Sequence, residues 1–187
     1  MLPPGALRSD EVSIPPLTLV LGGARSGKSA YAESFIETHA AHNGGGCVYL
    51  ATAEAGDDEM AARIAAHRAR RGNRWTTLEE PVELADALER AGRAGDAVLV
   101  DCLTLWLANL MAQRRDVEDE GRRLADTLSG LAGPVALIAN EVGMGIVPDN
   151  PQARAFRDHA GRLNQAIAAR ADRVVFVAAG LPLVLKG

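Results

Sequence analysis

The sequence predicts a single α/β domain, built as a doubly wound and mostly parallel sheet with a phosphate loop. Three observations predict it. Short strand-like runs alternate with helical patterns along the chain. Those runs are almost wholly apolar, as in parallel strands that helices cover on both faces. A glycine-rich stretch joins the first run to the first helical pattern. The 187 residues are enough for one such domain with a substantial core.

The elements alternate from the first strand onward. "LTLVLG" (17–22) is a buried strand, followed by a helix from Gly27 to about His39. "GCVYLAT" (46–52) is the second strand, and the next helix begins near Asp57, which can cap it. "RWTTLE" (74–79) predicts a short third strand, and Pro81 is expected to open the helix "PVELADALERA".

The second half of the chain continues the alternation. "DAVLVD" (96–101) is a buried strand, and 103–130 is predicted to form two helical segments. "PVALIAN" (134–140) is the next strand, and a loop leads from it to a long helix over 151–170. "RVVFVAA" (173–179) is the last predicted strand. Ligands of such sheets bind beyond the carboxyl ends of the strands, so the site is expected at Gly22–Ser29, Ala51–Ala53, Asp101 and Asn140–Glu141.

Composition narrows the classes of function. The net charge is −4, whereas a general nucleic-acid binder needs a basic face. Two cysteines are too few for a disulfide framework, which indicates a reducing cytoplasm. The proline-rich residues 1–16 resemble a disordered tail rather than a signal peptide, and no run is long enough to span a bilayer. We therefore expect one cytoplasmic domain over residues 17–187.

"GGARSGKS" (22–29) fits the pattern G-x-x-x-x-G-K-[ST] of P-loop NTPases, directly after a strand and at the start of a helix. Glycines let backbone N–H groups curl around phosphate, and the helix N-terminus adds partial positive charge. Lys28 is expected to reach the β- and γ-phosphates, and Ser29 to bind Mg²⁺. Lys28 stands out because Lys186 is the only other lysine in the chain.

Two carboxylates end strands at the predicted site. Asp101 has the position of a residue that holds Mg²⁺, often through water, but it could instead cap the following helix. Glu141 could hold metal, act as a base or cap a neighbouring segment, and the sequence does not choose among these roles.

His67 lies in "DEMAARIAAHRARRGNRW" (58–75) on the same helical face as Met60 and Ile64, among many arginines. It could be an ordinary packed histidine, with the arginines as a solvated face. A neutral imidazole is also a competent nucleophile toward phosphorus, and arginines at 63, 68, 70 and 71 would supply the cations that such an attack requires.

Together these motifs resemble a known family. "GGARSGKS", "YLATAEAGDDEMAARIAAHR", "NEVGMGIVP" and the ending "GLPLVLK" are similar to the bifunctional adenosylcobinamide kinase/adenosylcobinamide-phosphate guanylyltransferases of cobalamin biosynthesis. The resemblance covers nearly all of the chain after residue 16. It implies that adenosylcobinamide and its phosphate are substrates, that GTP and Mg²⁺ are used, and that the protein is a homo-oligomer, in particular a trimer. The sequence leaves open whether ATP also serves the kinase step.

The resemblance also implies roles for individual residues. His67 takes GMP from GTP, and Lys28 serves catalysis in the phosphate loop. The implied nucleotide contacts are Gly22, Gly23, Ala24, Arg25, Ser26, Gly27, Lys28, Ser29, Ala51, Thr52, Ala53, Arg68, Ala69, Arg70, Arg71, Glu79 and Asp101. One departure concerns Gly72, where the family usually has proline. Glycine can end the helix in a left-handed cap instead, and we expect the turn to survive but to be more mobile.

Two other functions compete with this one. A plain phosphate-loop kinase for another small alcohol would have the same loop, a structural His67 and no covalent nucleotide. A nucleotide-binding regulatory module would use hydrolysis as a switch, but the N-K-x-D segment with which switch GTPases read guanine is absent, because neither lysine lies in one.

Overall fold

A seven-stranded sheet forms the centre of the protein. The computed structural model describes residues 16–43, 45–53, 72, 74–92, 96–131 and 133–187. The strands are β1 (Leu17–Gly22), β2 (Cys47–Ala51), β3 (Trp75–Glu79), β4 (Ala97–Asp101), β5 (Val135–Asn140), β6 (Arg173–Ala178) and β7 (Leu181–Lys186). They lie in the order β3-β2-β4-β5-β1-β6-β7, and all neighbours are parallel except β6 and β7. The predicted mostly parallel α/β fold is confirmed.

Helices cover the two faces of the sheet unequally among the described residues. Helix α1 (Lys28–Asn43) packs on one face, over a core that includes Phe35, Ile36, Tyr49 and Leu99. The other face carries the helices α2 (Leu84–Gly92), α3 (Leu103–Ala112), α4 (Val117–Leu128) and α5 (Pro151–Arg170). The central strands are buried on both sides, which explains why their sequences are apolar without alternation.

The start of α2 differs from the prediction. Pro81 was expected to open this helix, but the helix begins at Leu84. The Glu80 carboxylate accepts hydrogen bonds from the backbone N–H groups of Val82 (3.2 Å) and Glu83 (3.0 Å), so these residues form a capped turn instead. The carbonyl of Pro81 accepts from the Asn109 side chain at 3.0 Å. A side chain on a distant helix therefore helps to fix this turn.

The last strand, β7, was not predicted. It follows β6 through the two-residue turn Ala179–Gly180, whose φ angles are 51° and 78°. Two positive φ values are typical of the type I′ turn that joins tightly paired antiparallel strands. Pro182 in the run also weakened the strand signal, but at the edge of a sheet its missing N–H is tolerated. The chain therefore ends in an exposed antiparallel strand.

Two predictions fall partly or wholly on undescribed residues. Residues 1–15 of the expected tail and the helix expected from Asp57 lie outside the described ranges. Pro16, the last residue of that tail, is described and lies next to the start of β5, because its carbonyl accepts from the N–H of Val135 at 2.8 Å. Within the described part of the chain, every helix is too short or too polar to cross a bilayer.

Candidate nucleotide site

The predicted site residues that the structure describes lie at one edge of the sheet. Strand register places Gly22 beside Asn140, and Ala51 between Asp101 and Glu79. Backbone hydrogen bonds continue this alignment beyond the strands: the N–H of Thr52 donates to the Asp101 carbonyl (3.1 Å), and that of Glu141 donates to the Gly22 carbonyl (3.1 Å). The carboxyl ends of the neighbouring strands β3, β2, β4, β5 and β1 therefore form one rim, where ligands of parallel sheets bind.

The phosphate loop, residues 22–29, is packed so closely that two of its glycines cannot be replaced without movement. A Cβ on Gly22 would lie 2.5 Å from both the Ser26 Oγ and the Val177 carbonyl oxygen. Gly27 has a φ of 97° and lies against Gly180 in the β6–β7 turn. The N–H of Gly180 donates to the Ser26 carbonyl at 2.8 Å, which ties that turn to the loop. Ala24 and Arg25 are exposed, whereas Gly23 and Ser26 are half-buried.

Lys28 is the first residue of α1, and it is only 8% exposed. Its ammonium group donates to the carbonyl of Gly23 in the same loop at 3.0 Å. The side chain is therefore held within the loop rather than extended into open solvent. A cation held inside the curve of the loop is nevertheless placed beside the backbone N–H groups that would bind phosphate.

Asp101 lies on the same face of the sheet as α1. Side chains alternate along β4, and Ala97 and Leu99 belong to the α1-side core, so Asp101 shares that face. The Tyr49 hydroxyl, also on that side, donates to the Asp101 carboxylate at 2.8 Å. Cys102, rather than Asp101, occupies the N-cap position of α3. The Asp101 carboxylate therefore lies on the face that α1 covers, and Ser29 stands at the start of that helix; oxygen donors of this kind suit Mg²⁺.

Sequence reasoning missed the group that fixes the end of β2. The Thr52 hydroxyl donates to the Cys102 carbonyl (2.7 Å) and accepts from the Cys102 N–H (2.8 Å), and both groups are buried. The Asn109 side chain donates to the Thr52 carbonyl (2.8 Å) as well as to Pro81. An asparagine inside an apolar helix was the available signal, because a buried amide needs partners. Ala53 follows Thr52 and is half-buried.

The cysteine beside Asp101 is not a candidate nucleophile. Burial raises the pKa of the Cys102 thiol to about 11, and the adjacent Asp101 carboxylate adds to the rise. The thiol is therefore neutral near pH 7, and a neutral thiol is a weak nucleophile. Burial likewise raises the pKa of Cys47 to about 11. Both cysteines behave as small core residues.

Glu141 caps its own loop. Its carboxylate accepts from the N–H of Gly143 at 2.5 Å, and its backbone N–H is bound to Gly22. Of the three roles left open by the sequence, capping is the one that a contact supports. Thr104 supports the end of the same strand, because its hydroxyl accepts from the Asn140 N–H at 2.7 Å.

His67 and the arginine-rich segment Arg68, Ala69, Arg70 and Arg71 lie outside the described residues, so their predicted roles stay predictions. Glu79 is described and lies exposed at the rim on the α1 side, paired with Ala51. Gly72 is described, but the helix that it would end lies outside the described residues, so the left-handed cap stays a prediction.

The fold and the loop together define the chain as a P-loop NTPase. Two solved structures of low sequence identity share the fold. The flagellar accessory protein FlaH of Methanocaldococcus jannaschii superposes with a TM-score of 0.53 at 12% identity, covering 92% of this chain and 80% of that one. A KaiC-like protein of Pyrococcus horikoshii gives a TM-score of 0.51 at 14% identity, with 86% of this chain and 70% of that one covered.

Sequence relatives identify the family. The family model described as cobinamide kinase / cobinamide phosphate guanyltransferase matches residues 18–185, and the chain belongs to that family. It is 52% identical to the bifunctional adenosylcobalamin biosynthesis protein CobP of Pseudomonas aeruginosa, over 90% of this chain and 96% of that protein. It is 39% identical to the bifunctional adenosylcobalamin biosynthesis protein CobU of Salmonella typhimurium, over 91% and 99% respectively.

Proposed function

We propose that this cobinamide kinase and cobinamide phosphate guanylyltransferase of cobalamin biosynthesis performs both transfers at the carboxyl rim of its sheet. The observation that carries the proposal is the placement of the phosphate loop and the Asp101 carboxylate on one face of that rim. A loop that binds the triphosphate and a carboxylate that suits its metal ion are what nucleotide-dependent phosphoryl transfer requires. The cytoplasm is the proposed location.

In the first reaction, the hydroxyl oxygen of the adenosylcobinamide aminopropanol arm attacks the γ-phosphorus of a nucleoside triphosphate. The bond between that phosphorus and the bridging oxygen breaks, and the hydroxyl proton leaves to solvent. The loop N–H groups and Lys28 stabilise the negative charge that develops on the phosphates. GTP is the proposed donor, and ATP is the alternative for this step.

In the second reaction, a His67 ring nitrogen attacks the α-phosphorus of GTP. A P–N bond forms, and the bond to the departing pyrophosphate breaks. The phosphate of adenosylcobinamide phosphate then attacks the same phosphorus and breaks the P–N bond, which yields adenosylcobinamide-GDP and frees His67. The arginines of the 68–71 segment are proposed to neutralise the phosphates. A covalent intermediate divides one difficult displacement into two easier ones.

Mg²⁺ is the proposed metal ion, with Ser29 and Asp101 as its protein ligands, directly or through water. When bound, it neutralises phosphate charge in the transition state. The Tyr49 hydroxyl orients the Asp101 carboxylate from the neighbouring strand, at 2.8 Å. The nucleotide contacts proposed at Ala51–Ala53 and Glu79 lie at the same rim.

Product analysis tests the proposed function. The enzyme is incubated with adenosylcobinamide, GTP and Mg²⁺, and the corrinoids are analysed by mass spectrometry over time. We expect adenosylcobinamide phosphate first and adenosylcobinamide-GDP after it. Reaction that stops at the phosphate, with no nucleotide bound to the protein, would instead support the simple kinase.

Replacing Asp101 by asparagine should lower both activities in a way that added Mg²⁺ partly restores. A neutral amide is a poorer ligand for a hard cation, and we expect a loss of about 10–100-fold at limiting Mg²⁺. Activity is measured across a Mg²⁺ titration. Asp96→Asn is the matched control, because Asp96 lies at the opposite end of β4 and accepts from the N–H of Gly46. Equal Mg²⁺ dependence of Asp101→Asn and the wild type would contradict the metal role.

We propose that the protein assembles as a homotrimer, in which a neighbouring subunit can help to complete the site. The exposed edge strand β7 supports assembly, since its apolar side chains Leu181, Leu183, Val184 and Leu185 all face solvent in the isolated chain. Long exposed apolar edge strands invite pairing with another chain. Light scattering should give three times the chain mass of 19.7 kDa. A monomer at working concentration would contradict this prediction.

A further inference from the structure

The β5–α5 loop, residues 141–150, presents a row of apolar side chains to solvent. Met144 is 79% exposed, Ile146 97% and Val147 62%. Apolar surface in water costs about 25 cal/mol per Å², so a cluster of this kind in a biosynthetic enzyme indicates a surface that something covers. Neither the phosphate loop nor the metal ligands account for these side chains.

Both ends of the β5–α5 loop are fixed, so the apolar residues have a defined position. At the start, Glu141 is bound through its backbone N–H to Gly22, and its carboxylate accepts from the N–H of Gly143. At the end, the Arg154 guanidinium donates to the carbonyls of Pro148 (2.8 Å) and Asp149 (2.6 Å). The Asn150 side chain caps α5 by accepting from the N–H of Gln152 at 2.7 Å.

The loop leaves the rim directly beside the phosphate loop. β5 is the neighbour of β1 on one side, and the β6–β7 turn lies against the phosphate loop on the other. The loop that carries the exposed apolar side chains therefore begins next to the phosphate loop, where an acceptor has to bring its hydroxyl to the γ-phosphorus.

We infer that Met144, Ile146 and Val147 form the surface on which the corrin macrocycle of the acceptor packs. This inference rests on the proposed function. The reacting hydroxyl lies on a short arm of a very large molecule, so the ring must lie against the protein close to the phosphate loop. The corrin ring presents apolar surface between its polar substituents, and burying apolar side chains against that surface releases water from both. None of the nucleotide contacts implied by the family resemblance lies on this surface.

Replacement of Ile146 by serine tests the inference, with Ile146→Leu as the matched control. Ile146 is almost fully exposed, so the variant should fold. We expect the KM for adenosylcobinamide to rise about tenfold, equal to about 1.4 kcal/mol of binding, while the KM for GTP stays unchanged. Attachment of GMP in the absence of any corrinoid, followed by intact-protein mass, should also stay unchanged. Ile146→Leu, which keeps an apolar side chain, should keep the wild-type KM for adenosylcobinamide.

Three results would overturn it. An unchanged KM for adenosylcobinamide in Ile146→Ser, with an active wild type, would rule out packing of the corrin ring on this loop. The proposed function would stand. A fall in molar mass by light scattering, with both KM values altered, would assign the loop to contact between copies of the chain. A wild type that attaches GMP but does not phosphorylate adenosylcobinamide would contradict the proposed function and this inference with it.

Discussion

His67→Ala should abolish attachment of GMP and guanylyl transfer while phosphorylation of adenosylcobinamide persists. The transfer of GMP is proposed to pass through a P–N bond to this imidazole, and alanine offers no nucleophile. The kinase step attacks phosphorus with the substrate's own hydroxyl and needs no nucleophile on the protein. Separation of the two activities by one side chain is the largest qualitative effect expected of any substitution.

The measurement uses α-labelled GTP and Mg²⁺, followed by treatment of the protein with acid or alkali. The wild-type adduct should be acid-labile and alkali-stable, because protonation of the nitrogen makes it a good leaving group. His42→Ala is the control, since His42 is exposed at the end of α1 and, among the described residues, makes a local hydrogen bond to the Thr38 carbonyl. Label retained by His67→Ala would move the nucleophile elsewhere, with His159 as the next candidate. If the wild-type protein takes up no label but still phosphorylates adenosylcobinamide, the simple kinase is supported and His67 is an ordinary packed residue.

Lys28→Ala should lower both activities by at least about a hundredfold, because both reactions bind the triphosphate in the same loop. Loss of one preorganised donor to developing charge costs about 10²–10³ in rate. The ammonium group also holds the loop's own Gly23 carbonyl at 3.0 Å, so its loss should loosen the loop as well. Nucleotide affinity, both activities and thermal unfolding are measured together, which separates loss of charge from loss of fold.

Lys186→Ala is the matched control, because it removes the only other lysine in the chain. Its ammonium group donates to the carbonyls of Ala168 and Ala169 near the end of α5, at the opposite end of the strands from the phosphate loop. We expect near-normal activity from this variant. Near-normal phosphorylation by Lys28→Ala would contradict the assignment of residues 22–29 as the phosphate loop.

Local signals in the sequence predicted most of the architecture. The apolar runs at 17–22, 96–101 and 134–140 match strands to within a residue, because strands buried on both faces accept only apolar side chains. The alternation of strands with helices predicted parallel pairing. Parallel neighbours cannot be joined by a short turn and need a longer crossover, which is usually a helix. Asp101 could be placed at the rim for the same reason, since it ends one of these runs.

Elements that depend on distant contacts were harder to predict. The β7 strand follows a turn in which Ala179 takes a positive φ. Asparagine or glycine is preferred at such a position, so the residue type did not predict the turn. The turn is held by Gly180 against the phosphate loop, a contact between residues far apart in sequence. Proline is a preferred residue at the start of a helix, but the Glu80 carboxylate and the Asn109 side chain hold Pro81 in a turn.

The sequence by itself determined the fold class, the phosphate loop and the family, because each is written in contiguous residues: apolar strand runs, "GGARSGKS", and motifs matched over 18–185. Only the tertiary structure decided that Lys28 is buried within its loop, that Asp101 shares a face with α1 and a hydrogen bond with Tyr49, and that Met144 and Ile146 stand exposed on a loop whose first residue is bonded to Gly22. Those facts depend on which strands become neighbours and which way each side chain points. Such pairings join residues distant in sequence, and no local preference encodes them.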